Sequence, residues 1–219
     1  MSHVVILGAA RGLGLGLARE FTARQWTVTA TIRKEADAAG VTAAGATPAI
    51  ADITDPASLV ALRATLAAPV DVLLVNAGIS QPGDVASIDE AGIAHLFLTN
   101  AVAPVRAADA LLDRVTPGGM IAFMSSRLGS VALTTADNLA MYRASKAALN
   151  SLVRGFASRI SAAHPVLLLH PGWVATDMGG PGADLDVATS VRGLVDVVEG
   201  RREVPGTAFL DYTGATLPW

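Results

Sequence analysis

The chain of 219 residues has no cysteine, which removes thiolate nucleophiles, disulfide staples and sulfur-ligated metals together. Its four histidines, at positions 3, 95, 164 and 170, have none of the spacings by which imidazoles share an ion, so no metal is expected. Charge is sparse too: 16% of residues are charged, the net charge is −3, and no basic cluster interrupts the chain, so neither nucleic acid nor anionic lipid is an expected partner. Long apolar runs are also missing. Mean hydropathy reaches +0.47, yet no run approaches the roughly 20 residues of a spanning helix, and no membrane partner is expected. The first residues lack a basic segment before an apolar stretch and lack a cleavage site, which makes the cytoplasm the expected compartment.

Apolar residues, by contrast, make up 52% of the chain, enough for one large core, and residues 1–219 are read as a single domain. Short runs rich in β-branched residues (Val4 to Leu7, Thr27 to Ile32, Asp71 to Val75, Met120 to Met124, Val166 to Leu169, Ala208 to Leu210) read as buried strands. Helix-length patterns lie between them: Gly12 to Arg24, Asp55 to Ala67, Asp89 to Arg114, Met141 to Ala163 and Asp184 to Gly200. The Ala-rich stretch from Ala36 to Ala51 fits a further short helix and strand. Alternating strands and helices predict an α/β fold: a single Rossmann-type, doubly wound, mainly parallel sheet of about seven strands with helices on both faces. Such sheets bind ligands beyond the carboxyl ends of their strands.

Directly after the first strand, Gly8-Ala9-Ala10-Arg11-Gly12-Leu13-Gly14 opens a helix, the context a dinucleotide loop requires. The glycines allow a tight turn and close backbone approach to a pyrophosphate, which the helix N-terminus attracts. NAD-selective folds place an acid at the end of the second strand. Here that strand runs into Arg33 and Lys34, which, with Arg11, suit a 2′-phosphate, so NADP(H) is preferred and NAD(H) stays open.

Tyr142 and Lys146 stand four apart on a predicted helix and so share a face. A phenol titrates near 10, and an ammonium about 4 Å away is expected to pull it toward 7, where it can exchange protons. The spacing alone is common by chance, and it gains weight from what surrounds it in order along the chain.

That order resembles the short-chain dehydrogenase/reductase family over essentially the whole chain. Gly8, Gly12 and Gly14 match its cofactor loop, Asn76-Ala77-Gly78 its Asn-Ala-Gly element, and Tyr142 with Lys146 its Tyr-x-x-x-Lys motif. The resemblance implies adenine contacts at Asp52 and Ile53, a water relay at Asn100, and cofactor contacts from Pro171, Gly172, Val174 and Thr176, the last to the nicotinamide carboxamide. Ser125-Ser126, Tyr142 to Lys146 and His170 to Val174 look more narrowly like the sniffer and C-factor branch, which is similar to carbonyl reductases, and the closing Gly214 to Trp219 fits that branch. Leu7 stands where the family has a Thr, and Val75 where it often has a second Asn. Ser126 precedes Tyr142 by more than the usual spacing, which leaves both Ser125 and Ser126 open as the substrate serine, with Ser126 favoured.

The implied activity is reversible reduction of an aldehyde, ketone or quinone-like carbonyl to an alcohol, with Tyr142 as acid, Ser126 holding the oxygen, Lys146 tuning the phenol and Asn100 relaying protons. An NADP(H)-binding regulatory protein with little turnover is the alternative, and an epimerase is disfavoured by length. Trp173, Leu133, Met178 and Gln81 are candidate pocket walls, with Trp173 equally suited to the core, under a closing segment, 178–186, expected to be mobile. The Ala-rich faces at Ala101, Ala103, Ala107, Ala108 and Ala157 suit either a two-fold helix interface or the parent sheet, which leaves monomer, homodimer and homotetramer open, a dimer slightly favoured over a monomer.

Overall fold

The computed structural model describes residues 1–80, 85–136 and 138–219; Gln81 lies outside them. Seven strands occur among these residues: β1 (His3–Leu7), β2 (Thr27–Ile32), β3 (Thr47–Ile50), β4 (Val70–Val75), β5 (Val115–Met124), β6 (Val166–His170) and β7 (Thr207–Asp211). They form one sheet in the order β3-β2-β1-β4-β5-β6-β7, and each adjacent pair is parallel. The order reverses between β1 and β4, the switch point where such sheets open a crevice.

Parallel strands buried on both faces divide their side chains by the period of two. Val5 and Leu7 of β1 face a cluster completed by α3 (Pro56–Thr65), α5 (Ala103–Leu111) and α6 (Ala140–Ile160). Val4 and Ile6 face the opposite cluster, which holds α1 (Gly12–Ala23), α2 (Ala38–Ala43) and α7 (Val187–Arg201). The helices therefore cover both faces.

One expectation is corrected and one open choice is decided. The predicted helix from Asp89 to Arg114 is broken: α4 (Glu90–Phe97) passes into a π turn at Leu98–Val102 before α5 begins, and a 3-10 turn at Leu112–Arg114 ends the run. Pro104 supplies the cause, because its nitrogen carries no hydrogen and its ring crowds the carbonyl four residues back, which is that of Asn100. The alanines considered for an interface between chains are spent within this one: Ala101, Ala103, Ala107, Ala108 and Ala157 are each at most 1% exposed in the first cluster. They give no argument for a dimer.

The segment expected to be mobile is tied at its base. Val174 pairs with Leu185 in an isolated bridge, with Ala175 N–H donating to the Leu185 carbonyl at 2.8 Å and Leu185 N–H to the Trp173 carbonyl at 3.0 Å.

Candidate active site and cofactor cleft

The cleft at the switch point has one wall built from backbone. Asn76 Nδ2 donates to the Gly8 carbonyl at 2.7 Å, and Ala77 N–H donates to the Leu7 carbonyl at 2.9 Å, so β4 holds the glycine loop directly. The hydroxyl missing at Leu7 is supplied from the neighbouring strand: Thr31 Oγ1 accepts from Gly8 N–H at 2.9 Å. Gly14 admits no side chain, since a methyl there would stand 2.1 Å from the Gly8 carbonyl oxygen and 2.7 Å from Asn76 Nδ2. Leu13 packs with the α1 and α7 cluster, next to the loop.

The N-terminus of α1 is prepared for an anion. Asp55, Asp89 and Asp186 cap α3, α4 and α7 by accepting from Ala57, Gly92 and Thr189 N–H. Arg11, at the corresponding position of α1, makes no side-chain cap, and the first turn of α1 has no acid. The amide end is thus left for an external acceptor. Arg33 and Lys34 are exposed beyond β2 and form no ion pair among the described residues. The Arg11 guanidinium pairs with Asp177. Uncapped amides with two free cations at the second strand fit a phosphorylated dinucleotide.

Asp52 follows β3, with Ile53 buried beside it. Burial pushes the Asp52 carboxyl up, but the Thr54 hydroxyl and N–H, both donating to Oδ1, together with the Arg33 and His95 charges, hold it below the ordinary range. On the far side, the Pro171 carbonyl accepts from buried Ser190, Val174 is buried, and Thr176 Oγ1 accepts from Gly179 N–H at 3.2 Å. Gly172 connects them. Trp173 is not core: it is 53% exposed, as is Met178, whereas Leu133 is partly buried.

The other wall is built from buried polar side chains. Asn100 is fully buried in the π turn; its Oδ1 accepts from Ile79 N–H at 2.8 Å, and its Nδ2 donates to the Ile79 carbonyl at 2.8 Å and to Ser145 Oγ at 3.0 Å. Ser145 Oγ donates to the Tyr142 carbonyl at 2.8 Å, which links the π turn to the turn of α6 that carries the phenol. Both amide hydrogens of Asn100 are therefore engaged. The side chain has no N–H left for a further acceptor, and Pro104 has none to donate to the Asn100 main-chain carbonyl.

The choice between the two serines follows from their partners. Ser125 Oγ donates to Asn150 Oδ1 at 2.6 Å, and Asn150 Nδ2 donates to the Gly129 carbonyl at 3.1 Å, so Ser125 is consumed in fixing the chain after β5 against α6. Ser126 Oγ instead accepts only a local bond, from Leu128 N–H at 3.1 Å, and acts on the Tyr142 phenol, which it pulls down. Lys146, 4% exposed, donates from Nζ to the Met124 carbonyl at 3.0 Å and lies 6.0 Å from the Tyr142 ring centroid. A methyl on Gly78 would stand 3.3 Å from both Lys146 Nζ and Asn100 Oδ1, which brings the Asn-Ala-Gly element against the same cluster.

The electrostatics reverse one expectation. Burial pushes the Tyr142 phenol up to about 12, against the Ser126 hydrogen bond that pulls it down, and burial brings Lys146 down to about 8. The protein groups alone do not draw the phenol toward neutrality, because burial disfavours the charged form of both the phenol and the ammonium. Sequence reasoning also passed over Thr31, Ser145 and Asn150. Ser145 had a signal, since it sits inside the Tyr-Lys motif; Thr31 had none.

A family model described as short chain dehydrogenase matches residues 2–184. Over 158 residues the chain is 43% identical to the C-signal of Myxococcus xanthus, covering 69% of this chain and 93% of that one. A carbonyl reductase from Pseudomonas aeruginosa PAO1, solved in complex with NADP, superposes with a TM-score of 0.93 at 44% identity, each chain fully covered. The carbonyl reductase Sniffer of D. melanogaster, at 28% identity and full coverage of both, gives 0.85.

Proposed function

The chain belongs to the short-chain dehydrogenase family, and within it we propose an NADP(H)-dependent oxidoreductase that reduces a carbonyl to an alcohol with Tyr142 as the acid. The observation that carries this reading is Lys146, 4% exposed and fixed by donation from Nζ to the Met124 carbonyl at 3.0 Å, four residues along α6 from Tyr142, whose phenol Ser126 pulls down. When bound, the nicotinamide supplies the hydride. Gly8, Gly12 and Gly14 with the α1 amides hold the pyrophosphate, Arg33 and Lys34 meet the 2′-phosphate, and Asp52 and Ile53 border the adenine. Asn76, Ala77, Gly78, Pro171, Gly172, Val174 and Thr176 line the remaining cofactor wall.

Ser126 orients the carbonyl oxygen toward the phenol. Tyr142 keeps its proton throughout the neutral range, because burial holds it near 12, and the protonated phenol is the form a reduction uses. Lys146 positions the ribose and supplies charge to the phenol once its proton has left, and the Asn100 carbonyl returns a proton through water. The NADP-bound carbonyl reductase at 44% identity supports both the cofactor and the direction.

A signalling protein that binds NADP(H) with little turnover is the second reading, favoured by the likeness to C-signal. Against it stands a buried lysine: an ammonium kept 4% exposed costs stability, and it is accounted for by catalysis rather than by folding. Tyr142→Phe removes the acid and keeps the ring. NADPH oxidation with a panel of aldehydes, ketones and quinones is expected to drop at least ~1,000-fold in kcat. A variant that retained near wild-type kcat would overturn the proposed acid, and absence of wild-type turnover across the panel with intact NADPH binding would favour the second reading.

A further inference from the structure

Beside Ser126, on the side away from β4, three side chains from different elements converge. Arg127 is the first residue of the 3-10 turn Arg127–Gly129, its exposed guanidinium without an ion pair or hydrogen bond among the described residues. His170 ends β6. Ser125 N–H donates to the Leu169 carbonyl at 2.8 Å, so β5 and β6 leave the sheet side by side, Ser126 and Arg127 on one and His170 on the other. The third is Asp211 of β7, the register partner of His170.

These groups are unevenly satisfied. Asp211 Oδ1 accepts from Thr213 N–H at 2.9 Å, Thr213 Oγ1 at 2.7 Å and Ala215 N–H at 3.0 Å, which commits that oxygen to its own turn. Asp211 is not paired with Arg127 within ion-pair distance. The buried Nδ1 of His170 has no partner, although buried ring nitrogens are ordinarily bonded. Burial and the Arg127 charge bring this imidazole down to about 4, with Asp211 pulling the other way, so it is neutral at pH 7. A lone pair left unpaired costs less than an N–H, which places the proton on Nε2 and makes that edge a donor. A free guanidinium and an imidazole N–H next to the substrate serine lack only an acceptor.

We propose that Arg127 and His170 form a subsite for an oxyanion on the substrate, so that the preferred carbonyl compounds carry a carboxylate or similar acidic group. This rests on the carbonyl reductase reading for its kinetic consequence, not for the binding itself. The test therefore has two arms. In the first, 4-formylbenzoate and its methyl ester are compared as substrates; the acid is expected to exceed the ester at least ~10-fold in kcat/KM, and Arg127→Gln to bring that ratio toward one. Equal efficiency in the wild type, or a ratio unchanged in the variant, overturns the proposal.

In the second arm, which needs no turnover, the histidines are 13C-labelled and benzoate is titrated. The His170 resonance, assigned by its loss in His170→Asn, is expected to shift with benzoate, to stay fixed with methyl benzoate, and to lose its response in Arg127→Gln. If Arg127→Gln fails to fold, Arg127→Lys keeps the charge without the planar fork and is expected to weaken the shift at equal benzoate. A His170 resonance indifferent to benzoate overturns the subsite even if carbonyl reduction is observed; a response without any carbonyl turnover keeps the subsite and removes the reductase reading.

Discussion

The two walls of the cleft are made in opposite ways. The cofactor wall, from Gly8 to Gly14 and Asn76, is shaped by missing side chains: backbone approaches backbone so closely that a single methyl at Gly14 meets an oxygen at 2.1 Å. The wall proposed to be catalytic, from Asn100 through Ser145 and Tyr142 to Lys146, is shaped by polar side chains set in a low-dielectric interior and held there by hydrogen bonds to one another and to main-chain carbonyls. One wall tolerates nothing added. The other tolerates little removed, and its chemistry depends on charges it stabilises poorly.

The largest expected effect tests the first half of that contrast. Gly14→Ala adds a methyl where both neighbours, a main-chain oxygen and the anchored Asn76 amide, are fixed by the sheet. Overpacking of this kind costs about 1–3 kcal/mol or more, so Tm is expected to drop by several degrees, and NADPH affinity by at least ~100-fold as the loop shifts. Differential scanning fluorimetry and fluorescence titration measure both. Full NADPH affinity in a stable Gly14→Ala protein would show that the loop is not closed by backbone contact.

The second half predicts a variant that gains stability while losing function. Lys146 has a folded value near 8 against an ordinary 10.5, so between those limits the unfolded chain binds more protons and stability rises with pH. At pH 7 the folded state carries the whole cost of the buried ammonium. Lys146→Met removes it, and the variant is expected to be more stable at pH 7 by on the order of 2 kcal/mol, inactive, and to lose this advantage as pH climbs from about 8 to 10. Thermal melts of both proteins across that range give the answer; a constant difference would mean that Lys146 is not desolvated.

The contrast also explains what was legible in the sequence. Glycine loops and strand alternation are local signals, so the doubly wound sheet, Gly8 to Gly14 and the strand ends were readable from residue order. The catalytic wall depends on contacts between residues 21 to 45 positions apart in the chain, such as Asn100 with Ile79 and Ser145, and spacing does not report them. Tyr142 and Lys146 were found because they are four apart. Their proton affinities depart from the expectation because burial, absent from any one-dimensional pattern, is the largest influence on each. Two local signs were overlooked: Ser145 inside the Tyr-Lys motif, and Pro104, which marked the break in the helix four residues after Asn100.

The smallest effect lies where the two walls meet. Arg11 of the glycine loop and Asp177 of the loop after β6 form their ion pair with side chains 77% and 74% exposed, so solvent screens it, and Asp177→Asn is expected to change Tm by no more than about a degree. Its consequence is for the cofactor. While Asp177 holds the guanidinium, Arg11 is turned from the phosphates it was expected to serve, and bound cofactor must compete with the carboxylate for it. Freed by Asp177→Asn, Arg11 adds one phosphate contact, so the Kd for NADPH is expected to fall roughly two- to five-fold and to become more sensitive to salt. NADH, lacking the 2′-phosphate, separates the two places Arg11 can reach: an equal gain for both cofactors points to the pyrophosphate, and a gain confined to NADPH points to the 2′-phosphate. Weaker binding in both would mean that the ion pair positions the loop for the cofactor, and the cofactor wall would then owe part of its shape to side chains after all.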